Sequence, residues 1–170
     1  IEADFITIAK GLTSAYAPLS GSIVSDRVWQ VLMRGTDENG PIGHGWTYSA
    51  HPIGAAAGVA NLTLIDTLGL VANAGETGAY FLAALRDRLG DHPNIGEIRG
   101  EGMLAAVEFV KDRETRTFFE VGDKIGPKVA AALLAEGVIG RAMPEGDIIG
   151  FAPPLCLTRA EADEIAGRMG

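Results

Sequence analysis

Phe5-Ile6-Thr7-Ile8-Ala9-Lys10-Gly11 is the stretch on which the reading of this chain turns. The apolar and β-branched run from Phe5 to Ala9 predicts a short strand, and the strand ends on a lysine. An unpaired ammonium is costly to remove from water, so a lysine in that place has two readings. In one, its stem lies along apolar surface and its charge snorkels to solvent. In the other, the amine is partly desolvated, its pKa falls, and the neutral form attacks an aldehyde to give an imine. Local spacing leaves both open. Gly11 permits a sharp turn immediately after the lysine.

Working outward, Gly21 to Val24 predicts a second strand, and Ser25-Asp26 a helix start for Val28 to Met33. Gly35 to Tyr48 is rich in Gly, Asp and Asn, carries Pro41 and shows neither period, which predicts a long ordered loop. Ser49 to His51 with Pro52 open a helical segment over Ile53 to Leu70, small residues first and large ones after, expected to be buried against a sheet. Val71 to Leu89 predicts another helix, closed by Gly90-Asp91-His92-Pro93. Strands are expected at Ile95 to Arg99 and Met103 to Val110 around Gly100-Glu101-Gly102. That triplet lacks the third glycine and following helix of a dinucleotide loop, so Glu101 reads as part of a hairpin turn. Ile125 to Glu136 predicts a helix, Val138 to Ala142 and Asp147 to Phe151 strands, and Thr158 to Met169 a last helix with Thr158 and Glu161 as a capping box. The order implies an α/β fold in two parts, residues 1–72 and a small α/β domain over 73–170.

An apolar fraction of 47% supports a packed core, while a net charge of −8 argues against nucleic acid or an anionic membrane surface as partner. No run reaches the ~20 apolar residues that span a bilayer, nor does a basic segment lead into an apolar one, so the cytoplasm is the expected location. The lone Cys156, within the apolar stretch Phe151 to Leu157, reads as a buried thiol in a reducing compartment. The chain opens on Ile1-Glu2-Ala3-Asp4-Phe5 without methionine, directly before a strand, as a piece of a longer protein would. His44 and His51 have no Cys or carboxylate at metal-ligand spacing; they read as structural, and no metal is expected.

Four strings, in this order and at these separations, resemble the class III aminotransferases: Phe5-Ile-Thr-Ile-Ala-Lys10-Gly-Leu, Pro18-Leu-Ser-Gly21, His44-Gly-Trp-Thr47-Tyr-Ser-Ala-His51-Pro52 and Arg99-Gly-Glu-Gly102-Met-Leu. The resemblance covers essentially the whole chain. It implies the C-terminal part of a fold type I enzyme dependent on pyridoxal 5'-phosphate: the end of the large α/β domain and the small C-terminal one. It matches Lys10 to the lysine that holds the cofactor as a Schiff base and then serves as general acid and base. Thr47 matches the threonine that binds the cofactor phosphate from across a homodimer, and Trp46 the aromatic residue at cofactor and substrate entrance. Arg141, after Val138-Ile139-Gly140, matches a mobile arginine that pairs with a substrate carboxylate, although its separation from Pro153-Pro154 is slightly longer than the family pattern.

By the same resemblance, the aspartate that pairs with the pyridine nitrogen, the stacking aromatic and the glycine-rich phosphate cup precede Ile1; Asp4 is too close to Lys10 to be that aspartate. The 170 residues are therefore expected to act only within a complete subunit of a homodimer whose active site is shared. The implied reaction is a ping-pong transfer of an amino group from a small-molecule amine or ω-amino acid to pyruvate or a related keto acid. The resemblance equally admits an ornithine, GABA or acetylornithine aminotransferase, a semialdehyde aminomutase or a dialkylglycine decarboxylase. From another class, a non-catalytic dimerisation fragment remains as alternative, against which the joint presence of Lys10 and Thr47 counts.

Overall fold

A computed structural model describes residues 2–170; Ile1, the residue on which the chain opens, lies outside the described residues. The structure divides into two compact units, one running to Leu68 and the other spanning Gly69 to Gly170, against an expected boundary at residue 72. Leu68 closes one helix and Gly69, in the left-handed region at φ 60°, opens the next, a conformation that suits glycine.

The first unit begins with an antiparallel ribbon, β1 (Phe5–Ile8) paired with β2 (Gly21–Val24), Phe5 facing Val24 and Ile8 facing Gly21. Helix α1 (Asp26–Asn39) follows, its N-terminus capped by the Ser25 hydroxyl, which accepts from the Val28 N–H. It runs past Met33 into the expected loop. Thr36 Oγ1 donates to the Leu32 carbonyl and Asn39 Nδ2 to the Gly35 carbonyl, so these residues satisfy their polar groups within the helix. The turn signal in Asn39-Gly40 takes effect only at the helix end, where Gly40 adopts φ 86°. Helix α2 (Pro52–Thr67) has Pro52 in its first turn and is capped by His51, whose Nδ1 accepts from the Ile53 N–H.

Burial of α2 is corrected by the structure: only Gly54 and Gly58 are buried, and Ile53, Val59, Leu62, Leu64 and Leu68 are exposed. The apolar residues are distributed around the helix, and the loop after β1 packs against its small-residue side at Gly54 and Gly58.

The second unit is a four-stranded antiparallel sheet in the order β3-β4-β6-β5: β3 (Ile95–Glu101), β4 (Leu104–Phe109), β5 (Arg141–Ala142) and β6 (Ile148–Phe151). Helices α3 (Leu70–Leu89), α4 (Ile125–Ala135) and α5 (Arg159–Arg168) supply the rest. The strand expected over Val138 to Ala142 is confined to two residues, because Val138 is bonded back to Leu133 as part of the helix exit. One face of the sheet carries the core: Phe81 and Leu85 of α3, Leu133 of α4 and Ala162 and Ala166 of α5 close on Val107, Ile149 and Phe151. Phe81 and Phe151 meet edge to face at 6.0 Å. Strand burial alternates as the pleat requires, so Leu104, Ala106, Ile148 and Gly150 line the opposite, open face.

The β3–β4 turn rests on α3. A Cβ on Gly78 would overlap the Gly102 carbonyl, so helix and hairpin meet through backbone atoms. In α5 the capping box is present, Thr158 Oγ1 accepting from the Glu161 N–H while the Glu161 carboxylate accepts from the Thr158 N–H. Cys156, expected to be buried, is exposed. It lies in a turn closed by the Leu157 N–H donating to Pro154, and Leu157 takes the core position instead. Among the described residues, no single helix is long and apolar enough to cross a membrane.

Candidate active site

β1 ends at Ile8, and the chain turns at Ala9 into a single 3-10 turn, Lys10–Leu12. Lys10 has φ 49°, in the left-handed region that costs an L side chain about 1–2 kcal/mol. A residue held there needs surroundings that fix it, and such strain concentrates at functional positions. The 3-10 turn is held by the Leu12 N–H donating to Ala9 (3.1 Å) and the Thr13 N–H to Lys10 (3.3 Å). Thr13 is buried and donates its hydroxyl to the Ala17 carbonyl at 2.6 Å.

Asn61 of α2 supplies the remaining restraint. Its Nδ2 donates to the carbonyls of Gly11 (2.8 Å) and Leu12 (3.2 Å), and its Oδ1 accepts from the Ser14 hydroxyl (2.7 Å). Sequence reasoning missed Asn61. The available signal was an amide between Ala60 and Leu62 in mid-helix, where asparagine is unfavourable unless its polar groups are used.

Of the two readings that local spacing left open, the exposed one describes Lys10 here, and the ribbon before it is open, Phe5 being 63% and Ile6 49% accessible. A β-branched run promises a strand, but what covers the strand depends on other elements. Lys10 nevertheless lies in a concavity of about 750 Å³, with Thr7, Ser20, Ser22, His44 and Trp46 among its other lining residues. That volume is within the range of small-molecule sites, roughly 300–1,000 Å³.

Trp46 is 76% exposed and meets His44 edge to face at 5.2 Å. Its N–H donates to Ser49 Oγ (2.9 Å), and its carbonyl accepts from the Ser49 N–H (2.9 Å). Thr47 lies in this turn and is exposed, and it is not among the residues that line the concavity. His51 then caps α2, so the turn is fixed at the helix N-terminus.

In the second unit, Arg141 stands on β5 opposite Gly150 and lines a groove of about 960 Å³ over the open face of the sheet. Arg99 lines it too, but is paired with Glu97 (2.6 Å) and Glu108 (2.8 Å), which hold its guanidinium charge by raising its pKa, the Glu108 hydrogen bond most of all. Among the described residues, Arg141 makes no ion pair.

The donor set near Lys10 fits the aldehyde end of a pyridoxal cofactor: a primary amine, hydroxyls and an indole facing one space. No acid for a pyridine nitrogen is among the lining residues, and Asp4 is engaged with Arg27 and with the Ser25 hydroxyl.

Comparison with known proteins agrees with this chemistry. The family profile described as "Aminotransferase class-III" matches residues 1–170, and the chain belongs to that family, whose enzymes depend on pyridoxal phosphate. It is 60% identical over 168 residues to a diaminobutyrate–2-oxoglutarate transaminase of Halomonas elongata, covering 99% of this chain and 36% of the relative. It is 37% identical to a putrescine–pyruvate aminotransferase of Pseudomonas aeruginosa, over 95% of this chain and 34% of the relative. Among solved structures, a transaminase from ancestral reconstruction superposes with a TM-score of 0.94 at 58% identity, over 99% of this chain and 37% of that one. An (S)-enantioselective ω-transaminase from Thermomicrobium roseum gives 0.89 at 39% identity, over 99% and 36%. The chain thus spans about a third of the length of these relatives.

Proposed function

We propose that the chain is the lysine-bearing part of a pyridoxal-phosphate transaminase that moves an amino group from an ω-amine or ω-amino acid to an α-keto acid, with Lys10 as the catalytic amine. The observation that carries this reading is the left-handed turn at Lys10, clamped from α2 and opening on one concavity with Trp46. When bound, pyridoxal phosphate supplies an aldehyde that condenses with amines and a ring that takes up the electron pair left when a Cα proton departs. Lys10 would hold the group through its amine and, with that amine free, would take up and hand on the proton at the substrate Cα. Gly11, with no side chain beside the lysine, leaves room for this exchange. Trp46 forms an apolar wall at the entrance.

The hydroxyl and backbone N–H of Thr47 serve as phosphate donors, reaching the site of the other subunit in a homodimer; the exposure of this turn is consistent with an outward role. Arg141, with its charge uncommitted among the described residues, pairs with the substrate carboxylate as a bidentate donor.

The keto acid has two readings. Pyruvate is favoured by the putrescine–pyruvate relative, and 2-oxoglutarate by the diaminobutyrate–2-oxoglutarate relative at higher identity. Turnover of the complete enzyme with each acceptor decides between them. In the same protein, borohydride should fix the cofactor to Lys10, and Lys10→Ala should lower turnover by at least about 10³-fold, as loss of a nucleophile and proton carrier implies. A near-visible absorption band surviving Lys10→Ala unchanged defeats the assignment. Unimpaired keto acid use by Arg141→Ala removes the carboxylate role.

A further inference from the structure

We propose that Asn61 is a positioning residue for Lys10, holding the amine in its strained turn through the two carbonyls that follow it. The inference rests on the reading of Lys10 as the cofactor lysine.

Three observations combine. First, the turn is costly: Lys10 is not glycine, yet has φ 49°, and Ser14 and Ala15 beyond it are also left-handed at 49° and 62°. The turn's own last hydrogen bond, Ser14 N–H to the Gly11 carbonyl, is long at 3.4 Å, so internal bonding alone holds it weakly. Second, one side chain meets the exposed polar groups of this segment. An asparagine amide offers two N–H donors and a carbonyl acceptor; here both donor contacts go to Gly11 and Leu12, and the acceptor takes the Ser14 hydroxyl.

Third, the helix face that presents Asn61 is cut flat for the loop. Gly54, Gly58 and Asn61 follow one another at helical spacing. A Cβ at Gly54 would come within 3.2 Å of the Pro18 carbonyl, and one at Gly58 within 3.1 Å of the Leu19 side chain. The glycines let the loop approach, and Asn61 fixes its register. The same helix is capped by His51 directly after the Trp46 turn, so α2 locates both sides of the Lys10 concavity. An aspartate would set carboxylate oxygens against the Gly11 and Leu12 carbonyls; a leucine would match the size and remove all three bonds.

The test uses the complete enzyme. In the cofactor-free protein, Asn61→Asp and Asn61→Leu should speed amide exchange of the segment 10–16 by about tenfold, the factor that corresponds to loss of roughly one hydrogen bond's net worth, with segments of the second unit unchanged. Loaded with pyridoxal phosphate, both variants should lose the cofactor on dialysis about tenfold faster, and kcat should fall more than the KM for keto acid rises. Ser14→Ala, a conservative change at an exposed site that keeps both carbonyl bonds, should give the same pattern at about threefold and decides the matter if the Asn61 variants do not fold.

Looser exchange with unaltered cofactor retention and kcat would make Asn61 a purely structural residue and overturn the proposal, as would unaltered exchange. Failure of the underlying reading is distinguishable: in that case borohydride does not fix the cofactor to Lys10 in the unsubstituted protein, whatever the variants do.

Discussion

The unit up to Leu68 and the unit from Gly69 onward are both rich in apolar residues and use them in opposite ways. In the second, Phe81, Leu85, Val107 and Ile149 are sealed from solvent between helices and one sheet face. In the first, the buried described residues are Thr13, Gly54 and Gly58, while Phe5, Ile23, Leu62 and Leu64 are exposed. The second unit closes on its own core; the first is stitched by polar bonds around one turn and leaves its apolar surfaces open. The candidate cofactor lysine belongs to the open unit. The chain spans about a third of the length of its relatives.

The sharpest way to break the contrast is to separate the units. Residues 69–170 alone should unfold cooperatively in denaturant, and residues 1–68 alone should show no cooperative transition, since a chain of that size with so little buried apolar surface cannot offset its conformational entropy. Cooperative unfolding of the shorter piece would show that its polar stitching suffices.

Next in size are paired truncations in the 170-residue chain. Leu85→Ala removes a fully buried side chain and should cost about 2–5 kcal/mol in urea unfolding. Leu62→Ala, on the exposed side of α2, should change stability by less than about 0.5 kcal/mol. Comparable losses would mean that α2 is covered. The smallest effect concerns the end of the closed unit. Thr158→Ala should cost about 1 kcal/mol by removing the α5 cap. Hydrogen bonds from Thr158 lower the Glu161 pKa, so this carboxylate's contribution is present at neutral pH and lost as the pH falls through its lowered folded value. Thermal melts between neutral and acid pH should show that loss, and Thr158→Ala should weaken it. An identical acid response in both proteins breaks the link.

These differences also explain what the sequence disclosed. Gly100-Glu101-Gly102 and the Thr158–Glu161 pair are local signals, and hairpin and capped helix appear where they stand because turn geometry and capping need only a few neighbouring residues. The first unit's strands were legible for the same reason, as β-branched runs. Their accessibility was not, since burial of a strand or of α2 is decided by partners distant in sequence. The extension of α1 through Gly35 to Asn39 was hidden because Thr36 and Asn39, usual loop residues, bond back into the helix. At the candidate site, the string around Lys10 marked the amine, but the clamp was invisible: Asn61 lies 50 residues from Gly11, and nothing local announces their pairing.

The contact of Gly78 with Gly102 carries a consequence for how the open sheet face can change. Helix and hairpin tip are indexed to each other by main chain, with no side chain as spacer, so even one added methyl forces them apart. The opposite face, where Arg141 stands, bears no such duty. Substitutions there leave the alignment of the frame beneath untouched, whereas a side chain added at Gly78 would push helix and hairpin tip apart and tilt the whole platform at once.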